Sequence, residues 1–184
     1  AKEEADFIIS VYWAHLLKPD FMALARDSVN FHPALLPINR GWYPHVHSII
    51  DGTPLGVTLH RIDEGADTGP IWAQKEMALD PTDTARDVYL RQQEAIVELF
   101  EETWSTIMSG NLEPMPQDHK AAIFRNKADI IPLNHINLDQ TYTGRELINR
   151  LRARSFGDRG FAYVEESGEK IYLNIRLSRD PIFK

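Results

Sequence analysis

The sequence predicts an α/β chain, and three observations carry that prediction. Residues 6–13 form a short, nearly continuous apolar run, which reads as a strand buried on both faces in a parallel sheet. Residues 28–32 form a second short strand after a stretch suited to a helical crossover, giving one strand–helix–strand unit. The C-terminal third then changes pattern, to a capped helix followed by an alternating hairpin.

The elements follow in order. Pro33 stops the second strand. The crossover before it holds Phe21, Met22, Leu24 and Ala25. From 33 to 52 the chain carries Pro33, Pro37, Gly41, Pro44 and Gly52, which marks a long loop with a short helix over 46–51; long loops inside compact domains are often functional. Residues 57–62 alternate as a strand, and an acidic turn over 63–70 leads to another strand at 71–74. The spacing predicts a helix over 84–109, with Thr84 and Asp87 as its capping box, Val88, Ala95, Leu99 and Ile107 near one face, and Gly110 as its stop. Residues 111–117, with Pro114 and Pro116, read as a linker. Thr143 and Glu146 cap a second helix carrying Leu147, Ile148 and Leu151. Residues 161–164, a Ser167-Gly168 turn and residues 171–177 make the hairpin, with Ile171, Leu173, Ile175 and Leu177 on a buried face. No internal repeat or low-complexity segment interrupts this order.

Composition bounds the function. The 184 residues carry 20 Lys and Arg against 27 Asp and Glu, a net charge of −7, which argues against a protein whose main partner is a phosphate backbone. There is no cysteine, so disulfides, thiolate nucleophiles and Cys metal sites are excluded. No run approaches the roughly 18 apolar residues of a membrane span, and no secretory signal is visible, which makes the cytoplasm the expected compartment.

Three groups of residues could carry chemistry. Alternation puts Asn30 and His32 on one side of a strand, at the carboxyl end where open α/β sheets bind ligands. Taken alone, such a histidine is more readily a hydrogen-bonded strand end. Asp67 lies between Gly65 and Gly69, which permit close backbone approach to a ligand, and its carboxylate is able to orient an imidazole; the plainer reading is a solvated acidic turn. The segment Arg40-Gly41-Trp42-Tyr43-Pro44-His45 sets an arginine among aromatics, which suits an anionic ligand with a planar ring, or a loop packed on itself. His32, His45, His47 and His60 also invite a zinc reading, but no ligand spacing among them is diagnostic.

Read together, these residues form an ordered set: Asn30-Phe31-His32-Pro33-Ala34-Leu35-Leu36-Pro37, then Arg40-Gly41, then Gly56-Val57-Thr58-Leu59-His60, then Asp67-Thr68-Gly69-Pro70. The set resembles the formyltransferases that use N10-formyltetrahydrofolate, departing at Ala34 where the family pattern has Ser. A looser match runs through Gln117-Asp118 and the segment 150–154. Within the family, residues 40–45 and the C-terminal hairpin are most similar to the sugar N-formyltransferases of the nucleotide-linked 4-amino-4,6-dideoxy sugar type. These serve bacterial surface polysaccharide, including lipopolysaccharide O-antigen.

The resemblance implies a fold, a reaction and a set of sites. The fold is a formyltransferase-type Rossmann-like sheet, with further strands expected before residue 1, and a C-terminal helix and β-hairpin extension. Residues 1–117 would be the later part of the catalytic core and 118–184 the extension. Asn30, His32 and Asp67 would be catalytic: Asn30 and His32 offer N–H groups to the developing oxyanion, or His32 accepts the amine proton. N10-formyltetrahydrofolate would be the co-substrate, held by Tyr12, Trp13, Ala14, His15, Leu16, Leu17 and the backbone of Asp63, Glu64 and Gly65. Arg40, Gly41, Trp42, Tyr43 and His45 would face a nucleotide-linked, dTDP-type amino sugar. No metal, nucleic acid or membrane is implied, and a homodimer through the C-terminal region is expected. Other acceptors in the family are glycinamide ribonucleotide and initiator methionyl-tRNA. A non-catalytic nucleotide-sugar or folate binder is the alternative of a different class.

Overall fold

A computed structural model describes residues 5–181 of the chain; residues 1–4 and 182–184, the outer ends of the two expected segments, lie outside it. The first unit is β1 (Ala5–Val11), a single turn α1 (Pro19–Met22) and β2 (Ala25–His32). Then come β3 (Arg40–Gly41), α2 (Pro44–Asp51), β4 (Leu55–Arg61), β5 (Ile71–Met77) and the long α3 (Ala85–Met108). The C-terminal part holds β6 (Phe124–Arg125), a 3-10 helix (Lys127–Leu133) and α4 (Gly144–Ala153). It ends in the short pair β7 (Ser155–Phe156) and β8 (Arg159–Gly160), and the hairpin β9 (Ala162–Glu166) and β10 (Glu169–Leu173).

The main sheet has the order β1-β2-β4-β5. β1 and β2 are parallel, while β2 with β4 and β4 with β5 are antiparallel. The parallel character expected of the sheet is therefore confined to one pair. Residues 62–70 are too few for a parallel crossover, which takes about a dozen or more, so the chain reverses directly into β5. β1 also departs from expectation. It is the edge strand among the described residues, with Ile9 and Val11 43% and 48% exposed rather than buried on both faces. Only Phe7 reaches the core, edge-on to Trp104. The strand stops at Val11 because Tyr12 takes a left-handed backbone, φ 53°. The crossover shrinks to one turn because β2 begins at Ala25, which pairs with Ala5.

α3 closes one face of the sheet. The Thr84–Asp87 capping box is present, and Ala95, Ile96, Leu99 and Ile107 pack on Val29, Phe31, Val57 and Leu59. Since side chains alternate along β2, the burial of Val29 and Phe31 against α3 sends Asn30 and His32 to the opposite face. Gln92, on the buried face of α3, donates to the carbonyls of Pro33 and Gly56 at 2.6 and 3.2 Å and so anchors the loop after β2.

A second core joins Val46 and Ile49 of α2 to Ala85 and Val88 of α3 and Ala153 of α4. A third, smaller one holds Ile136, Ala162 and Val164, with Leu147, Leu151 and Leu173 against it. The Thr143–Glu146 box caps α4 as its sequence predicts. The hairpin differs from its expected form: β10 ends at Leu173, and Ile171 and Tyr172 are exposed, as is Ile148 on α4.

Candidate active site

Asn30 stands opposite His60 in the β2–β4 register, and His32 stands opposite Thr58. Directly opposed side chains on one face of an antiparallel pair are close enough to bond. Asn30 Nδ2 lies 3.2 Å from His60 Nε2. Thr58, fully buried, staples the loop after β2: its Oγ1 donates to the Ala34 carbonyl at 2.6 Å and accepts from the Leu36 amide at 3.1 Å. The alternation of Gly56-Val57-Thr58-Leu59-His60 thus has a division of labour. Val57 and Leu59 enter the core, while Thr58 and His60 support the site.

The turn over 63–70 brings Asp67 to the same place. Its backbone is left-handed, φ 57°, and its carboxylate is directed inward. Oδ2 accepts the Gly41 amide N–H at 2.9 Å. Oδ1 is shared: His32 Nδ1 is 3.4 Å away, His60 Nε2 3.5 Å and Asn30 Nδ2 3.5 Å. A methyl at Gly69 would collide with the Arg61 carbonyl, and one at Gly65 with Thr68. These glycines permit the chain to approach itself rather than a ligand.

Hydrogen bonds assign the protons. His60 Nδ1 is 2.7 Å from the Arg61 carbonyl, so the proton sits on Nδ1 and Nε2 accepts from Asn30. His32 Nε2 is 3.0 Å from the Asn39 carbonyl, so Nε2 carries the proton and bare Nδ1 faces Asp67. Burial pushes the His32 imidazole below its ordinary range against the opposing pull of Asp67, which keeps the ring neutral and able to accept a proton. Burial alone would raise the Asp67 carboxyl; the charge that the facing His60 and His32 rings carry once protonated, and the Gly41 amide N–H on Oδ2, outweigh it and hold the group at about 2.

A cavity of about 370 Å³ opens beside this cluster, the size of a small-molecule site. Asn30, His32 and Asp67 all lie on its wall, and so does His60. The stretch Tyr12, Trp13, Ala14, His15, Leu16 and Leu17 forms one side, with Gly65 near it, and Gly41, Trp42, Tyr43 and His45 form another. His45 packs edge-on to Tyr89, and burial, Arg154 and His47 push its pKa down to about 4. Three expected residues, Arg40, Asp63 and Glu64, are not among those lining the cavity. The Asp63 carboxylate accepts from the Gly65 amide and the Thr68 hydroxyl inside the turn, and Glu64 is exposed, which leaves the expected backbone contact of these two residues with the folate as a proposal. Arg40 is buried, with Nε and Nη2 on Gln117 Oε1 at 3.2 and 2.6 Å and Nη2 on His119 Nδ1 at 3.2 Å. Among the described residues no group of three or more His, Asp or Glu is arranged to hold a metal ion.

Two residues support the site without standing out in the sequence. His60 belongs to the Gly56–His60 motif, and its period-2 pattern puts it on the same side as Thr58. Gln117 lies far along the chain from the turn it supports. Its Nε2 donates to the carbonyls of Asp67 and Gly69 at 3.0 and 2.6 Å, so one buried amide ties Arg40 to the turn that carries Asp67. No local spacing points to that bridge, which spans 50 residues.

The chain is similar to known proteins over nearly its whole length. The family model for formyl transferase matches residues 1–103, and that for the N-formyltransferase dimerization C-terminal domain matches residues 129–179. The chain is 35% identical over 179 residues to the dTDP-4-amino-4,6-dideoxyglucose formyltransferase of Mycobacterium tuberculosis, covering 95% of this chain and 74% of that protein. A crystal structure of a 4-N formyltransferase from Francisella tularensis superposes with a TM-score of 0.88 at 30% identity, over 95% of this chain and 72% of that one. An N-formyltransferase from Helicobacter canadensis, solved with folinic acid and dTDP-3-aminofucose, gives a TM-score of 0.74 at 27% identity, over 89% of this chain and 59% of that one.

Proposed function

This chain belongs to the formyltransferase family, and from that premise we propose that it moves a formyl group from N10-formyltetrahydrofolate to the amine of a dTDP-linked amino-deoxy sugar. The observation that carries the reading is the Asn30–His32–His60–Asp67 cluster at the head of a cavity with an aromatic wall on either side. Relatives that resemble it over most of their length carry names of dTDP-sugar formyltransferases, and a neighbouring structure holds both a folate and a dTDP-aminosugar.

The residues divide the work as follows. Attack of the amine on the formyl carbon develops negative charge on the formyl oxygen and positive charge on nitrogen. Asn30 supplies an N–H to that oxygen by releasing its 3.5 Å contact to Asp67, the weaker of its two. His32 takes the amine proton at Nδ1, and ionised Asp67 stabilises the imidazolium that results. His32 then returns the proton to the departing N10. The stretch 12–17, with the backbone at Gly65, forms the folate wall, and Gly41, Trp42, Tyr43 and His45 form the sugar-nucleotide wall. In place of contacting an anion, Arg40 keeps the Asp67 turn in register through Gln117.

The division into a core over 1–117 and an extension over 118–184 belongs to the same proposal, and the two family models lie either side of it. So do the cytoplasm as compartment, bacterial surface polysaccharide as the destination of the product, and pairing of two copies through the extension. No helix of the described residues is long and apolar enough to cross a membrane. The test supplies N10-formyltetrahydrofolate with dTDP-4-amino-4,6-dideoxyglucose and follows the formamide by mass spectrometry. Transfer to that acceptor is the expected result. Transfer to glycinamide ribonucleotide or methionyl-tRNA with a higher kcat/KM would overturn the sugar assignment.

A further inference from the structure

The peptide unit between Asn39 and Arg40 is pinned at both ends. Its carbonyl accepts His32 Nε2–H at 3.0 Å, and its N–H donates to the Ile123 carbonyl at 2.9 Å. Asn39 is itself fully buried and holds a left-handed backbone, φ 57°, a conformation that a short polar side chain tolerates better than most. The Asn39 side chain is bonded from three directions. Nδ2 donates to Thr53 Oγ1 at 2.7 Å and to Ser48 Oγ at 3.3 Å, and Oδ1 accepts from Arg125 Nε at 3.1 Å. Arg125 is in turn tied to Asp51 at 2.7 Å. None of these braces lies on the cavity wall. What they determine together is the direction of one carbonyl, and that carbonyl decides which nitrogen of His32 holds the proton.

We propose that Asn39 is a positioning residue for formyl transfer: its carbonyl keeps the His32 proton on Nε2 and so leaves Nδ1, facing Asp67, as the atom that accepts the proton of the attacking amine. The inference rests on the proton-transfer role given to His32 above. The step balances. The amine nitrogen bonds to the formyl carbon, the carbon–N10 bond breaks, and the proton lost by the amine passes through Nδ1 to N10, with no net change on the protein. The opposite tautomer would set the Nε2 lone pair against the Asn39 carbonyl oxygen at 3.0 Å, while its Nδ1–H would reach Asp67 only across 3.4 Å and would leave no bare ring nitrogen on the cavity side to take the amine proton.

The test reads the tautomer directly. Nitrogen-15 spectra of histidine-labelled protein, with His32 assigned by its loss in His32→Gln, are expected to show the Nε2–H form. An Nδ1–H form in the unaltered protein would overturn the proposal. Asn39→Gly keeps the backbone conformation accessible and removes all three side-chain braces. It is expected to give mixed tautomers and a kcat about 10- to 100-fold lower at unchanged KM, short of the roughly 10⁴ lost where a wrong tautomer is enforced. Asn39→Asp still accepts from Arg125 and from both hydroxyls, and is expected to recover most of the rate and the pH profile. Unaltered kcat and pH profile in Asn39→Gly would refute the role. If that variant does not fold, the spectrum of the unaltered protein and the Asn39→Asp kinetics still decide. Undiminished turnover in His32→Ala would remove the premise about His32 itself, which separates the two failures.

Discussion

Asp67 shows how much of this site depends on one side chain. One carboxylate oxygen fixes the Gly41 amide and the other is shared by His32, His60 and Asn30, so the group orients the Gly41 wall of the cavity and the proposed catalytic cluster together. Asp67→Asn retains an acceptor on one side only; its amide N–H₂ would face either the Gly41 donor or the Asn30 amide. We expect turnover to fall by about 10²–10³, the scale of losing one preorganised polar group in acyl transfer, measured as kcat at saturating donor. The same residue links stability to pH. Its carboxyl stands at about 2 against an ordinary 3.8, so the stabilisation it gives is present above pH 4 and is lost as pH falls toward 2. The difference corresponds to about 2 kcal/mol. Urea unfolding at pH 7 and pH 3 is therefore expected to show a smaller acid loss in Asp67→Asn than in the unaltered protein, and an equal loss in both would refute the linkage.

Among the elements, β4 is the one that holds the site together, because its alternation serves two masters: Val57 and Leu59 face α3 while Thr58 and His60 face the cavity side. Thr58→Val keeps the shape and removes the hydroxyl, leaving the Leu36 amide and the Ala34 carbonyl, both held by Oγ1, without that partner. A buried amide so orphaned costs about 1–3 kcal/mol. We expect a loss of that size in urea unfolding together with a reduced kcat, because the freed loop carries Asn39. Stability within experimental error of the unaltered protein would contradict the staple. The elements legible in the sequence share this local logic. Both capping boxes, the buried faces of α3, and the common side of Asn30 and His32 follow from periods of 3.6 and 2 and from residues three apart. β3 and β6 do not, because two residues each carry no period; Arg40 pairs with Phe124 only once the C-terminal part has folded back. The Gln117 and Asn39 bridges are hidden for the same reason. They join segments far apart in sequence, and nothing near either residue distinguishes it from an ordinary loop amide. β1 fails differently: its apolar run is real, but burial depends on what covers a strand, which composition does not specify.

At the scale of the whole molecule, the proposed catalytic cluster and the rest of the cavity lining come from residues 10–89, and the segment 129–179 contributes none of the lining. That segment nevertheless shows much apolar surface. Its own core is three buried residues, Ile136, Ala162 and Val164, and a two-stranded hairpin is marginal in water without a face to cover. Ile131, Leu138, Ile148, Phe161, Ile171 and Tyr172 all stand exposed there, the last at 63%. Exposed large apolar side chains in this number call for a cover, and the family model matching these residues is that of a dimerization domain. A second copy of the chain is thus the proposed cover. Sedimentation of the unaltered protein is expected to give a dimer, and Tyr172→Asp, which buries a charge in the proposed interface, a monomer. Because the cavity is lined by residues between 10 and 89 and none from 129–179, the monomeric variant is expected to keep its formyl transfer when assayed below its unfolding temperature. A monomer in the unaltered protein would overturn the pairing. Loss of activity that tracks dissociation in Tyr172→Asp, with the fold intact by circular dichroism, would show instead that the partner supports the site.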